Sequence, residues 1–225
     1  MAALFDYSAQ LLEGAGLTLE LAFTSLCFGL LLGLAGAAAK MSALRWLRQA
    51  AYLVSNVLRG IPEFLILLIC YFGLSNLINT HFAGTLSLSP FAGGVVALAL
   101  VFGAYASEVF RGAFLAVPKG QLEAARSYGL SRWQIFWCVQ LPQAWRICLP
   151  SLNNMWQNLL KDTSLVSIVG LEDMLRKASI AAQFTKQPFV FYAAVAVVYL
   201  LLLAVSNPAF AYFEKRANRG YASPA

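Results

Sequence analysis

Charge is what this sequence has least of. Only 12% of its 225 residues are Asp, Glu, Lys or Arg, against about 25% in an average soluble domain. Hydrophobic residues make up 60% of the chain and fall in long runs, so composition points to an integral membrane protein. Histidine occurs once, at His81, which reads as a loop residue and not a metal ligand. The four cysteines, Cys27, Cys70, Cys138 and Cys148, form no CxxC pair and no Cys/His cluster, so free thiols are expected and a metal site is not. There is no GxxxxGKS/T phosphate loop, which places nucleotide chemistry outside this chain. No nucleophile–base constellation suggests an enzyme. Neither low-complexity segments nor the paired halves of an inverted-repeat carrier are visible. The net charge of +6 does not point to nucleic acid, because the basic residues sit in short loops between apolar runs.

A transmembrane helix needs about 20 mainly apolar residues. Five such spans are expected, at about 17–39, 62–78, 91–113, 147–170 and 189–213. The second has a polar approach from Tyr52, and Pro62 suits the first turn of its helix. The first run is too long for a signal-peptide core and has no Lys or Arg before it, so an uncleaved span is expected despite the small residues at 35–39. Twelve of the sixteen basic residues fall at the ends of spans one, three and five or after them. This asymmetry predicts an outer N-terminus, an inner C-terminus and a cytoplasmic loop between spans three and four.

That loop, KGQLEAARSYGLSRWQIFWCVQLP at 119–142, is the most informative stretch. Residues 120–128 read as a short helix with Gly129 as its C-cap. Ser131 is an N-cap for a second helix that Pro142 ends or kinks. Glu123 and Arg126 are spaced to pair on one helix face, and Trp133, Phe136 and Trp137 are apolar anchors. By physics alone the loop also fits an amphipathic segment on the membrane surface.

The order Glu123-Ala124-Ala125, Gly129, Val139-x-Leu141-Pro142 resembles the EAA loop of bacterial ABC-importer permeases, in its polar amino-acid (histidine/lysine/arginine/ornithine-type) branch. The stretches AYASEVFRGAFLAVPKGQ, LPQAWRICLPSLNN and LLKDTSLVSIVG resemble the same permeases, and Val139 stands where the pattern often has Ile. The resemblance implies that Gly120, Glu123, Ala124, Ala125, Gly129, Leu141 and Pro142 form the surface that engages an ABC ATPase dimer. It also implies ATP-Mg held by that ATPase, no cofactor on this chain, a second homologous permease subunit or a second copy, a periplasmic binding protein, and residence in the bacterial inner membrane.

The fourth span is unusually polar. Ser151, Asn154, Asn158 and Lys161 or Asp162 recur at helical spacing on one face. Charged residues inside a span are functional candidates by default, so this face is expected to line a translocation path. Interhelical hydrogen bonds and a Lys161–Asp162 pair are the structural alternative. Glu108 and Arg111 are expected to pair at the inner end of span three. Glu63, after the Arg59-Gly60-Ile61-Pro62 turn, reads mainly as a helix N-terminal charge, with a gate role open. Glu172, Asp173 and Arg176 follow span four as a possible outer gate, a binding-protein contact or an ordinary solvated loop.

The expected function is the membrane subunit of an ATP-driven importer for a polar, basic amino acid of the arginine/ornithine/histidine/lysine class. The alternatives are another polar solute, such as a glutamine-like compound or an opine, and a gradient-driven carrier built on Lys161–Asp162.

Overall fold

The structure is a computed structural model that describes residues 2–81 and 88–219. Among these residues all regular structure is helical. Ten α-helices follow in order: α1 (Ala2–Asp6), α2 (Ser8–Lys40), α3 (Arg45–Gly60), α4 (Glu63–His81), α5 (Pro90–Ala116), α6 (Lys119–Ser127), α7 (Arg132–Ile135), α8 (Leu141–Asp162), α9 (Met174–Thr185) and α10 (Pro188–Ala217). A π-helical turn, Phe136–Gln140, joins α7 to α8, and a 3-10 segment, Thr163–Val169, follows α8.

Helices α2 and α5 form the axis of the molecule. Small residues bring their backbones together, since a Cβ on Gly33 would come within 2.6 Å of the Ala106 Cβ. Close approach of this kind is how membrane helices gain packing without a hydrophobic drive. The main core joins Leu21, Leu67, Phe102, Phe110, Trp156 and Leu160 from α2, α4, α5 and α8. A second cluster, around Leu11, Met174, Ala178 and Phe191, ties the start of α2 to α9 and α10.

Three helices, α2, α5 and α10, are long and apolar enough to cross a membrane, and the bent pair α3–α4 would make a fourth. The expectation of five spans is therefore met only in part. The second span differs most: Arg45–Gly60 and Glu63–Ile78 are bent by 108°. The break falls at Gly60-Ile61-Pro62, where proline has no N–H to continue the ladder. α3 is amphipathic, with Arg45, Arg48, Gln49, Asn56 and Arg59 among its apolar residues, so it escapes a search for apolar runs.

α8 begins at Leu141 and ends at Asp162, earlier at both ends than the expected 147–170. Pro142 does not end a helix: it lies in the first turn of α8, directly after the π turn, and the chain stays helical through it. The chain tightens into the 3-10 segment and stops at Gly170, whose φ of 98° favours glycine. α9 occupies what the sequence presents as a loop, and His81 closes α4 instead of lying in one.

Candidate functional site

Two regions concentrate the polar groups of this apolar chain. The first is a cavity of about 210 Å³ between α4, α5 and α8. Glu63, Tyr105, Asn158 and Asp162 supply its polar lining, and Phe102 and Met155 part of its apolar wall. Each polar group arrives by a local cause. The break at Pro62 starts α4 at Glu63, which places that carboxylate in the positive field of a helix N-terminus. Asn158 and Asp162 are one turn apart on α8 and share a face. The Glu63 and Asp162 carboxyls interact directly, and Lys161 acts on Asp162 as a weaker opposing charge. The Arg59 guanidinium lies 5.3 Å from the centroid of the Tyr105 ring, at the edge of the same cavity.

The neighbour of Asp162 is thus Glu63 and not Lys161, whose side chain is exposed. Two carboxyls meet on a partly apolar cavity, where ionising either one is costly without a partner. Ser151, Asn154, Asn158 and Lys161 are all exposed along one side of α8, so this chain leaves its most polar stripe uncovered. On the flank, the Gln157 side-chain amide donates to Asn207 Oδ1 on α10 at 3.3 Å. Thr163 and Ser164 donate to the carbonyls of the preceding turn, at 2.6 and 2.7 Å.

The second region is the segment after α5. α6 ends at Ser127, and Gly129 follows with a φ of 79°. Ser131 and Gln134 form a capping box: the Gln134 N–H donates to Ser131 Oγ at 3.3 Å, and the Ser131 N–H donates to Gln134 Oε1 at 2.9 Å. Gly120, Glu123, Ala124 and Gly129 are exposed, as is Pro142, whereas Ala125 is buried and Leu141 half-buried. Trp133, Phe136 and Trp137 pack on one another, and the Phe136 ring stacks on Phe114 of α5. Glu123 and Arg126 do not pair among the described residues.

A charged network stands just above this segment. Lys40, fully buried at the end of α2, donates to Ser107 Oγ at 2.7 Å and to Glu108 Oε1 at 2.8 Å. Arg111 grips the other Glu108 oxygen with two donors at 2.7 and 2.9 Å. The Tyr52 ring of α3 lies within 5.7 Å of both cations, so the network joins α2, α3 and α5. The Glu108–Arg111 pair follows the sequence expectation; Lys40, 67 residues before Ser107, carried no local signal.

At the other end, Glu172 and Arg176 are exposed, but Asp173 is completely buried. Asp173 caps α9 through its side chain, so it is no surface contact. No group of three metal-ligating side chains occurs among the described residues.

The family model "Binding-protein-dependent transport system inner membrane component" matches residues 26–219. The chain is 44% identical to the nopaline transport system permease protein NocQ of Agrobacterium fabrum, covering 95% of this chain and 93% of that one. It is 37% identical to the histidine/lysine/arginine/ornithine transport system permease protein HisQ of Escherichia coli, covering 96% and 97%. A crystal structure of an amino acid ABC transporter with histidines superposes with a TM-score of 0.84 at 32% identity, covering 96% of this chain and 97% of that one. A methionine ABC transporter, MetNI, has a TM-score of 0.75 at 19% identity and shares the fold. The chain therefore belongs to the binding-protein-dependent transport system inner membrane components, as a multi-pass ABC-importer permease subunit whose ATPase is a separate protein.

Proposed function

We propose that this permease carries a polar amino acid with a cationic side chain from periplasm to cytoplasm, through a path that includes the Glu63–Asp162 cavity. The observation that carries this reading is the convergence of two carboxyls with Asn158 and Tyr105 on one cavity. A cationic side chain offers both carboxyls a charged donor, a stronger hydrogen bond than an uncharged side chain can make. The relatives named for histidine, lysine, arginine and ornithine transport support the same class. A second reading, an opine, draws on the relatives named for nopaline and octopine transport.

Five spans serve this reading, with an outer N-terminus and an inner C-terminus. They are α2, the broken α3–α4 pair, α5, α8 and α10. α8 has 22 residues, about 33 Å of helix, and its polar stripe excludes it only from apolarity tests. Ser151, Asn154, Asn158 and Lys161 face a water-filled path or a second permease subunit, either a copy of this chain or a homologue. α6 with Gly120, Glu123, Ala124, Ala125 and Gly129, and the turn at Leu141-Pro142, form the seat of the ATPase dimer, which holds ATP-Mg. Glu172 and Arg176 lie on the outer side, open to a periplasmic binding protein.

The test is uptake of labelled arginine, ornithine or histidine by the complex in proteoliposomes, with loaded binding protein outside and ATP on the α6 side. The expected result is uptake that needs both ATP and binding protein and falls in Gly129→Asp. Equal uptake without ATP contradicts it and returns the gradient-driven carrier.

A further inference from the structure

We infer that Asp173, with Tyr199, is a proton-operated latch at the outer end of the transport unit. Protonated, it holds the joint of α2, α9 and α10 closed; ionised, it loosens that joint. The inference rests on the reading of Asp162 as part of the path, because Thr163 follows Asp162 directly.

Asp173 is 0% exposed. Its Oδ1 accepts the Arg176 backbone N–H at 3.0 Å, which caps α9. Its Oδ2 has no hydrogen-bond partner, and neither has the buried hydroxyl of Tyr199 on α10. That hydroxyl lies beside those of Thr18 and Thr163, without good bonding geometry, and within the field of Asp173. The threonines have no proton left for Oδ2. Thr18 donates to the Gly14 carbonyl at 2.9 Å, and Thr163 donates to the Leu160 carbonyl at 2.6 Å. Oδ2 is therefore left either to carry a proton of its own or to accept one from the Tyr199 hydroxyl, which is likewise unpaired and packs against the same α2–α9–α10 cluster. On the α2 side the joint is closely packed, since a Cβ on Gly14 would come within 2.7 Å of the Met174 Cα.

Few charges face this carboxyl. α10 contributes Tyr199, α9 contributes Arg176, and α2 and the 3-10 segment contribute only the hydroxyls of Thr18 and Thr163. Glu13 of α2 pairs with Lys177 of α9, and the Glu13 side chain is exposed. Burial pushes the Asp173 carboxyl from 3.8 up to about 6, against the pull of backbone N–H donors and the Arg176 charge. A carboxyl that binds its proton more tightly when buried stabilises the buried arrangement below about pH 4. That stability is lost as pH rises from about 4 to about 6, and above this any arrangement that hydrates Asp173 gains ground. A difference of about two pH units is about a hundredfold in that balance.

The experiment compares the intact transporter complex with Asp173→Asn and Tyr199→Phe variants. Asn keeps the cap on α9 and mimics the protonated acid. Thermal inactivation midpoints against pH are read alongside ATP-driven uptake at outer pH of about 5 and about 7.5. The wild-type midpoint is expected to fall between about pH 4 and about 6, while Asp173→Asn lacks that fall and is the more stable at neutral pH. Uptake by Asp173→Asn at neutral pH is expected to drop several-fold, to the acid rate of the wild type, and to stay flat with pH. Tyr199→Phe, lacking the donor for the ionised form, is expected to move the inflection to higher pH. Parallel wild-type and Asp173→Asn curves, or an inflection unmoved by Tyr199→Phe, overturn the latch. Should wild-type uptake itself fail, the transport reading falls and the inactivation curves still decide the latch.

Discussion

Glu63 and Asp162 differ from the other acidic residues in what surrounds them. Glu108 has Lys40 and Arg111, and Glu13 has Lys177, but these two carboxyls have chiefly each other and a cavity. A charged hydrogen bond contributes about 1.5–3 kcal/mol. Glu63→Gln or Asp162→Asn should therefore raise the KM for a cationic amino acid about ten- to hundredfold, and that for glutamine by much less. A competition assay on the reconstituted complex checks this. Asp162 and Asn158 were legible in the sequence because polar residues within a span stand out. Glu63 reads mainly as a helix N-terminal charge with a gate role open; its meeting with Asp162 was not legible, because that partner is on α8, far along the chain. The joint signal was an Arg-Gly-x-Pro break followed by an acid inside a span. Gly129 offers a second residue-level test. A Cβ there meets open space, so the φ of 79° is the whole obstacle. Gly129→Ala should cost about 1–2 kcal/mol at the end of α6 and weaken ATPase co-purification without loss of membrane insertion.

At the level of elements, apolarity alone revealed α2, α5 and α10, since their long hydrophobic runs have no other stable use. It missed α3, whose polar residues break the run, and misplaced α8, whose ends are set by a π turn and a 3-10 turn rather than by composition. The short helices of the loop after α5 were legible because their signals are local: Gly129 for a C-cap and Ser131 for an N-cap, with Gln134 completing a capping box in the structure. Ser131→Ala should destabilise α7 by about 1 kcal/mol and lower the midpoint for ATPase release from the complex. The network around Glu108 holds three elements and was only half visible. Lys40→Met leaves Glu108 with Arg111 alone and removes a fully buried cation from α2. It should cost about 3 kcal/mol in thermal inactivation of the complex, and Glu108→Gln in the same chain should recover part of that loss.

At the scale of the whole molecule, the exposed stripe of Ser151, Asn154, Asn158 and Lys161 decides how the chain is used. Polar groups at membrane depth need protein or water against them. This chain covers neither the stripe nor the exposed face of α6, and it carries no phosphate loop. Its architecture suits one part of an assembly, with the proposed solute path and the proposed ATPase seat at opposite ends of α8. The central claim is that the Glu63–Asp162 cavity lies on the solute path, separate from the site of hydrolysis. The most direct test measures labelled arginine uptake and ATP hydrolysis on the same vesicles, for the wild-type complex and for Asp162→Asn. The account predicts hydrolysis within about twofold of wild type and uptake reduced about tenfold or more at sub-saturating arginine. Uptake equal to wild type, with hydrolysis intact, would contradict it.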